Sequence, residues 1–209
     1  LSLAATWLGD EPLRGFFELP AARTTDELRD AFVGWVGPTV NLCYGSTTGT
    51  IGWHLAATVP DRPRWALLPQ QPGADDGWDR WRTGPDMPWA EDDPQGWYAT
   101  ANNQPLSPCT PDLGDDWVDG YRVGRIGALL SSRDDWDVAG FQQPQLDTAL
   151  AAWPQIRPHL EELDPVEADA AAARDLLLGW DGDLGPREPA AAVAEGFLHE
   201  LAARLYEQR

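Results

Sequence analysis

The residues best suited to chemistry stand at the end of the stretch Gly96-Trp97-Tyr98-Ala99-Thr100-Ala101-Asn102-Asn103-Gln104-Pro105. Aromatic and β-branched residues follow Gly96 and then give way to two amides, a Gln and a Pro, a pattern that predicts a strand ending abruptly. A side-chain amide fixed at a strand end can aim its NH₂ at negative charge developing on a reacting carbonyl. It needs no reorganisation when the charge appears. Asn102 is the candidate for that task. The alternative is that Asn102 and Asn103 simply build the turn.

Other reactive side chains are less promising. Arg122 and Arg125 are three apart in a segment, Tyr121 to Leu130, that predicts a helix, so they share one face. Arginines in so acidic a chain are usually ion-paired, whereas one facing a cleft would bind carboxylate. Cys43 and Cys109 have neither metal-ligand spacing nor a disulfide framework, and Cys43, inside a β-rich run, reads as a small buried thiol. His54, His159 and His199 fall in no catalytic arrangement with a Ser or Cys. Ser2 reads as a strand serine.

Composition narrows the partners. The formal charge is -19, and all 15 basic residues are Arg. Such a chain repels phosphate backbones and anionic lipid, which argues against nucleic acid or a membrane surface as partner. No apolar run approaches the roughly 18 residues that span a bilayer. Asp75-Asp76, Glu91-Asp92-Asp93 and Asp115-Asp116 read as solvated loop faces; calcium on one of them is an open alternative, although EF-hand spacing is missing. The chain of 209 residues is long enough to bury a sizeable core.

The elements that must position these residues follow in order. Residues 1–23 read as a strand and then irregular structure. Thr24 and Glu27 form a capping box, and Leu28, Ala31, Phe32 and Trp35 recur at helical spacing until Gly37-Pro38. Thr39 to Tyr44 and Thr50 to Leu55, separated by Gly45-Ser46-Thr47-Thr48-Gly49, predict a hairpin. From Val59 to Gln95 the chain is dense in Pro, Gly, Trp and Asp and reads as a long functional or wrapping loop. Trp65, Trp78, Trp81 and Trp89 there are anchors or a platform for a flat ligand such as a sugar. Leu106 to Gly120 is another loop.

The remainder predicts helices: Phe141 to Trp153 broken by Pro144, Ile156 to Leu163 after Pro154, a third launched by Asp164-Pro165-Val166-Glu167, and an amphipathic one carrying Val193, Phe197, Leu201 and Leu205. Residues 1–120 are thus mostly sheet and long loops, and 121–209 mostly helical.

Taken together, these motifs resemble the penicillin acylase family of two-chain, N-terminal-nucleophile (Ntn) amidohydrolases. Asn41-Leu42-Cys43-Tyr44 through Gly49-Thr50-Ile51-Gly52-Trp53 is similar to the family's hairpin, and Pro60-Asp61-Arg62 to its Pro-x-Arg turn. Trp81, Gly84, Pro88, Pro94 and Gly96 resemble the loop leading into the Asn-Asn strand end. Tyr121-Arg122-x-x-Arg125-Ile126, Gln143-x-x-x-Asp147 and Trp180-Asp181-Gly182 complete the series, in order, over nearly the whole chain. Ser46 and Thr50 depart from the family's usual Asp and Asn.

The resemblance implies an α+β fold: part of an Ntn-hydrolase αββα sandwich with an appended helical region, forming an internal segment of the larger chain. The implied reaction is hydrolysis of an acyl-amide bond, as in β-lactam antibiotics, acyl-homoserine lactones or lipopeptides. Its nucleophile is a Ser at a new N-terminus that self-cleavage frees. That Ser lies outside these residues, so the segment alone is expected to be inactive. By resemblance Asn102 is the oxyanion-hole donor, Arg122 orients the substrate, and Asn103 supports the loop. Implied partners are the other segments of the same precursor, the smaller chain and the start of the larger one, and a small amide substrate. No cofactor is implied beyond a structural calcium in the parent protein, and the location implied is periplasmic or secreted. The rival readings are a non-catalytic, Trp-rich binding module and a degenerate structural homologue.

Overall fold

A computed structural model of the chain describes residues 5–8, 13–61, 78, 80–105, 113, 114 and 116–207. Ser2, Arg62, Trp65, Asp75, Asp76, Cys109 and Asp115 lie outside the described residues. The chain divides into two compact units, Leu1–Val123 and Gly124–Arg209.

In the first unit, helix α1 (Arg14–Glu18) precedes helix α2 (Thr25–Ala31). The described part of residues 1–23 is therefore helical, not a strand. Thr24 caps α2 as its sequence predicts, its hydroxyl accepting from the Glu27 N–H at 3.1 Å. Glu27 reaches back one residue further than the usual box, to the Arg23 N–H at 2.6 Å. The helix stops earlier than its apolar spacing suggests. Phe32 is the C-cap, and Gly34 takes a left-handed φ of 74° that turns the chain away before Trp35.

The hairpin forms as expected. Strand β1 (Val40–Gly45) pairs antiparallel with β2 (Ile51–Ala56), and Ser46 closes the turn by donating its N–H to the Thr50 carbonyl and accepting the Thr50 N–H on its hydroxyl oxygen. Ser46 thereby supplies a turn-closing side-chain oxygen.

Three further short strands correct the reading of 59–95 as a loop. Strand β5 (Trp89–Glu91) pairs with β2 to complete a three-stranded sheet in the order β1-β2-β5, while β3 (Thr58–Pro60) pairs with β4 (Trp81–Thr83). Three-residue strands are too short to show a period, which is why the Pro- and Gly-rich composition hid them.

The strand period of two gives the larger sheet two apolar faces. Val40, Leu42 and Ala56 pack with Ala31, Phe32 and Trp35 around α2, and Trp53 and Leu55 pack on the other side with Ala57 and Met87. Trp53 also donates its indole N–H to the Asn41 side chain at 2.8 Å. Cys43 is exposed on β1, not buried, because an edge strand leaves alternate side chains uncovered.

The second unit is built from helices. Helix α3 (Tyr121–Leu130) belongs to it from Gly124 onward, and α4 (Val138–Gln142), α5 (Trp153–Glu161), α6 (Ala168–Leu178) and α7 (Pro189–Glu207) follow. The break at Pro144 is real. Helix α5 begins at Trp153 and carries Pro154 in its first turn, where a missing N–H costs nothing. Asp164-Pro165 does not open α6. The Leu163 carbonyl is held by Arg174 at 2.7 Å, and the helix starts at Ala168 with Glu167 as an N-cap whose side chain makes no capping bond.

Trp153 and Trp180 form the centre of this unit's core, with rings 4.8 Å apart and Leu160, Leu177, Ala190 and Ala194 around them. Trp180-Asp181-Gly182 is structural here. The Trp180 indole donates to the Asp183 carbonyl at 2.9 Å, and Gly182, at a φ of 91°, lets the backbone pass against the Trp153 ring. Among the described residues no helix is long and apolar enough to cross a membrane.

Candidate active site

Asn102 stands where the chain leaves β5 through Gly96 and runs on to Ala101. Residues 97–101 pair with no neighbouring strand among the described residues, which corrects the expectation of a strand end. A different device holds Asn102. Its φ is 61°, in the left-handed region. Asn tolerates that region better than most residues because its short polar side chain bonds locally.

The surrounding hydrogen bonds fix it from several sides. Arg122, in the first turn of α3, donates from Nη2 to the Ala101 carbonyl at 2.9 Å and to Asn102 Oδ1 at 2.8 Å. The Asn102 carbonyl accepts from the Val118 N–H at 3.2 Å. Asn103 accepts the Ala101 N–H on Oδ1 and donates from Nδ2 to the Gln104 carbonyl, both at 3.0 Å. The two residues named from sequence are therefore in contact, although they lie 20 positions apart.

The chemical consequence lies in which end of the amide is used. With the guanidinium on Oδ1, the Nδ2 group of Asn102 is left without a partner among the described residues. Asn102 is exposed. A fixed, unclaimed amide donor is what an oxyanion site requires.

Arg125 behaves differently from Arg122. It makes a bidentate pair with Asp147, 2.6 and 2.9 Å, and this hydrogen-bonded charge holds the Asp147 carboxyl below the usual carboxylate range. Asp147 is thus accounted for as an ion-pair partner within the helical unit.

Sequence reasoning missed a buried polar cluster beneath α2. Arg29, 4% exposed, donates to Glu91 at 2.6 Å and to the Tyr44 hydroxyl at 3.0 Å, also pairs with Asp26, and lies 4.1 Å from the Trp89 ring centroid. Tyr44 donates to the same Glu91 oxygen at 2.8 Å. Tyr44 reaches it by crossing Gly52, where an added Cβ would stand 2.5 Å from the Tyr44 ring. Burial, and then the bond to Glu91, push the pKa of the Tyr44 hydroxyl up to about 12. Burial resists ionisation of Glu91, but bonds from Arg29, Thr25 and Tyr44 outweigh it and hold the carboxyl below its ordinary value. Glu91 is accordingly not the solvated loop acid its neighbours suggest. The signal was absent from sequence because Arg29 and Glu91 are 62 positions apart.

His54 shares that face of the sheet, between Leu42 and Trp89 in the register. It is wholly buried, and neither ring nitrogen has a hydrogen-bond partner of good geometry among the described residues. Burial and the charge of Arg29 lower its pKa to about 4, the nearby Pro88 backbone offsetting only part of the shift, so it is neutral at pH 7. Among the described residues no group of three or more His, Cys, Asp or Glu side chains could hold a metal ion.

The mixed sheet-and-helix fold is like that of an N-terminal-nucleophile hydrolase. Its likeness to a solved thermostable penicillin G acylase from Alcaligenes faecalis has a TM-score of 0.61 at 26% identity, over 81% of this chain and 32% of the other. The penicillin amidase family model matches residues 1–209, and the chain belongs to that family. It is 32% identical over 188 residues to penicillin acylase 2 proenzyme of Pseudomonas sp. strain SE83, and 27% identical over 214 residues to the acyl-homoserine lactone acylase QuiP of Pseudomonas aeruginosa. These alignments cover 88% and 94% of this chain but 24% and 25% of the relatives, so the chain spans about a quarter of their length.

Proposed function

We propose that this chain is an internal segment of an acylase that hydrolyses the amide bond between an acyl group and an amine, with Asn102 as the side-chain oxyanion donor. The observation that carries the reading is the Arg122 bond to Asn102 Oδ1, which leaves Nδ2 as a directed, unclaimed donor. The family supports the rest. Its penicillin and acyl-homoserine lactone acylases make acyl derivatives of these two kinds the first substrates to try.

In this reading a Ser at a new N-terminus, outside these residues, attacks the carbonyl, and its own α-amine takes the hydroxyl proton. Charge builds on the carbonyl oxygen, where Asn102 Nδ2 donates to it. The tetrahedral intermediate collapses, the amine leaves with a proton, and water releases the acyl group. Arg122 holds the donor through Nη2, while its Nε and Nη1, without partners among the described residues, are open to a polar group of the substrate. Partners are the remaining segments of the precursor, exported with it, and the 209-residue segment is inactive by itself; a structural calcium belongs to the parent protein in this reading.

The Trp-rich binding reading has less support. Arg29 covers one face of the Trp89 ring, and Trp78 stands edge-on to Trp81, so these rings are engaged in structural contacts.

The test is to express the full reading frame that encodes residue 1, measure intact mass, and assay amine release from a penicillin and an acyl-homoserine lactone. Two chains, the larger beginning with Ser and containing these 209 residues, together with hydrolysis, support the proposal. A single uncleaved chain without amide hydrolysis overturns it in favour of a scaffold or binding role.

A further inference from the structure

We propose that Asn103 is a positioning residue that acts on the reaction through Asn102, an inference that rests on the oxyanion reading of Asn102. Asn103 spans its neighbour: Oδ1 accepts from the Ala101 N–H on one side and Nδ2 donates to the Gln104 carbonyl on the other, both at 3.0 Å. Between these clamps sits Asn102 with its φ of 61°. A left-handed residue lies above its extended and right-handed alternatives in energy, so it stays there only when its surroundings require it.

The remaining bonds show why the clamp is needed. Arg122 and the Val118 N–H hold carbonyl oxygens, those of Ala101 and Asn102, and Arg122 also holds the Asn102 amide oxygen. Asn103 alone holds the Ala101 N–H among the described residues. If it is lost, the Thr100–Ala101 peptide plane is free to tilt, the Ala101 backbone dihedrals change with it, the Asn102 Cβ swings, and Nδ2 leaves the line that Arg122 defines. A donor displaced by about 1 Å costs on the order of 10²-fold at worst, because oxyanion stabilisation depends on geometry. The binding of the substrate's ground state does not use this donor, so KM is spared.

The experiment uses the processed, full-length protein and a double-mutant cycle over Asn102→Ala and Asn103→Ala, with kcat and KM measured separately. Asn103→Ala lowers kcat by about tenfold or more with KM within about twofold, and adds almost nothing in the Asn102→Ala background, because a positioning residue has no effect once the positioned group is gone. Asn103→Ser, whose hydroxyl can still accept from a backbone N–H, recovers part of the lost kcat and guards against a variant that fails to fold. An unchanged kcat in Asn103→Ala, or the same factor of loss with and without Asn102, overturns the proposal and leaves Asn102's role intact. If Asn102→Ala by itself leaves kcat unchanged, the oxyanion reading fails, and this inference falls with it.

Discussion

Arg122 donates a 2.8 Å hydrogen bond to Asn102 Oδ1, and this single contact decides which end of the amide is left free to donate. An unrestrained Asn can turn its oxygen toward a developing oxyanion, where it repels the charge. The guanidinium prevents that, since it can only donate. The same nitrogen holds the Ala101 carbonyl, so side chain and backbone of the turn share one restraint.

Replacing Arg122 by Ala therefore lowers kcat in the processed protein by about tenfold or more, the scale expected when a preorganised donor loses its orientation. A rise in KM accompanies it only to the extent that Nε and Nη1 touch substrate. Steady-state kinetics separates the two: a change confined to KM would mean that Arg122 binds substrate and does not orient Asn102.

His54 makes the first unit acid-sensitive. Its pKa falls from 6.5 to about 4 in the fold, so the neutral form is the one that folding favours. Above pH 6.5 the group is neutral in both states and has no effect. Between 6.5 and about 4 the unfolded chain binds a proton that the folded chain refuses. Stability falls by about 3 kcal/mol as pH drops through that window. Urea unfolding across this range measures the loss, and His54→Leu abolishes it in that window.

The Arg29 cluster is a further stability element. Glu91→Gln removes the charge that Arg29 and Tyr44 both address, leaving a guanidinium that is 4% exposed with Asp26 as its remaining carboxylate. The expected cost is about 2 kcal/mol in urea unfolding at pH 7, less than for a fully buried pair because Glu91 is partly exposed. A change below about 0.5 kcal/mol, typical of a surface pair, would contradict it.

Two glycines in the helical unit give opposite responses to the same change. At Gly182, whose φ is +91, an added Cβ would stand 2.7 Å from the Trp153 ring. Gly182→Ala therefore costs about 2 kcal/mol or more through backbone strain and overpacking. Gly196 lies in the middle of α7 with open space around it. Gly196→Ala stabilises the helix by about 0.5–1 kcal/mol. Thermal denaturation of the two variants should move in opposite directions.

Local signals were legible in the sequence and tertiary ones were not. The Thr24 cap, the hairpin around Ser46, and the span of α3 all follow from spacing within a few residues. Strands β4 and β5 did not show, because three residues carry no period, and the stretch before Asn102 carried strand-forming residues that pair with no strand among the described residues. Asn102 and Arg122 were each named from sequence. Their contact was not, because nothing in a separation of 20 positions predicts a hydrogen bond, and the left-handed turn that permits it is visible only in the backbone. The buried Arg29, Tyr44 and Glu91 cluster escaped for the same reason.

The most direct test of the account is kcat for Asn102→Ala in the processed, full-length protein, with an acyl-amide substrate at saturation. If Asn102 Nδ2 is the oxyanion donor, kcat falls by about 10²–10³ while the two-chain product still forms and folds. A variant that turns over at the wild-type rate would contradict the role assigned to Asn102 and leave it as a turn-forming residue.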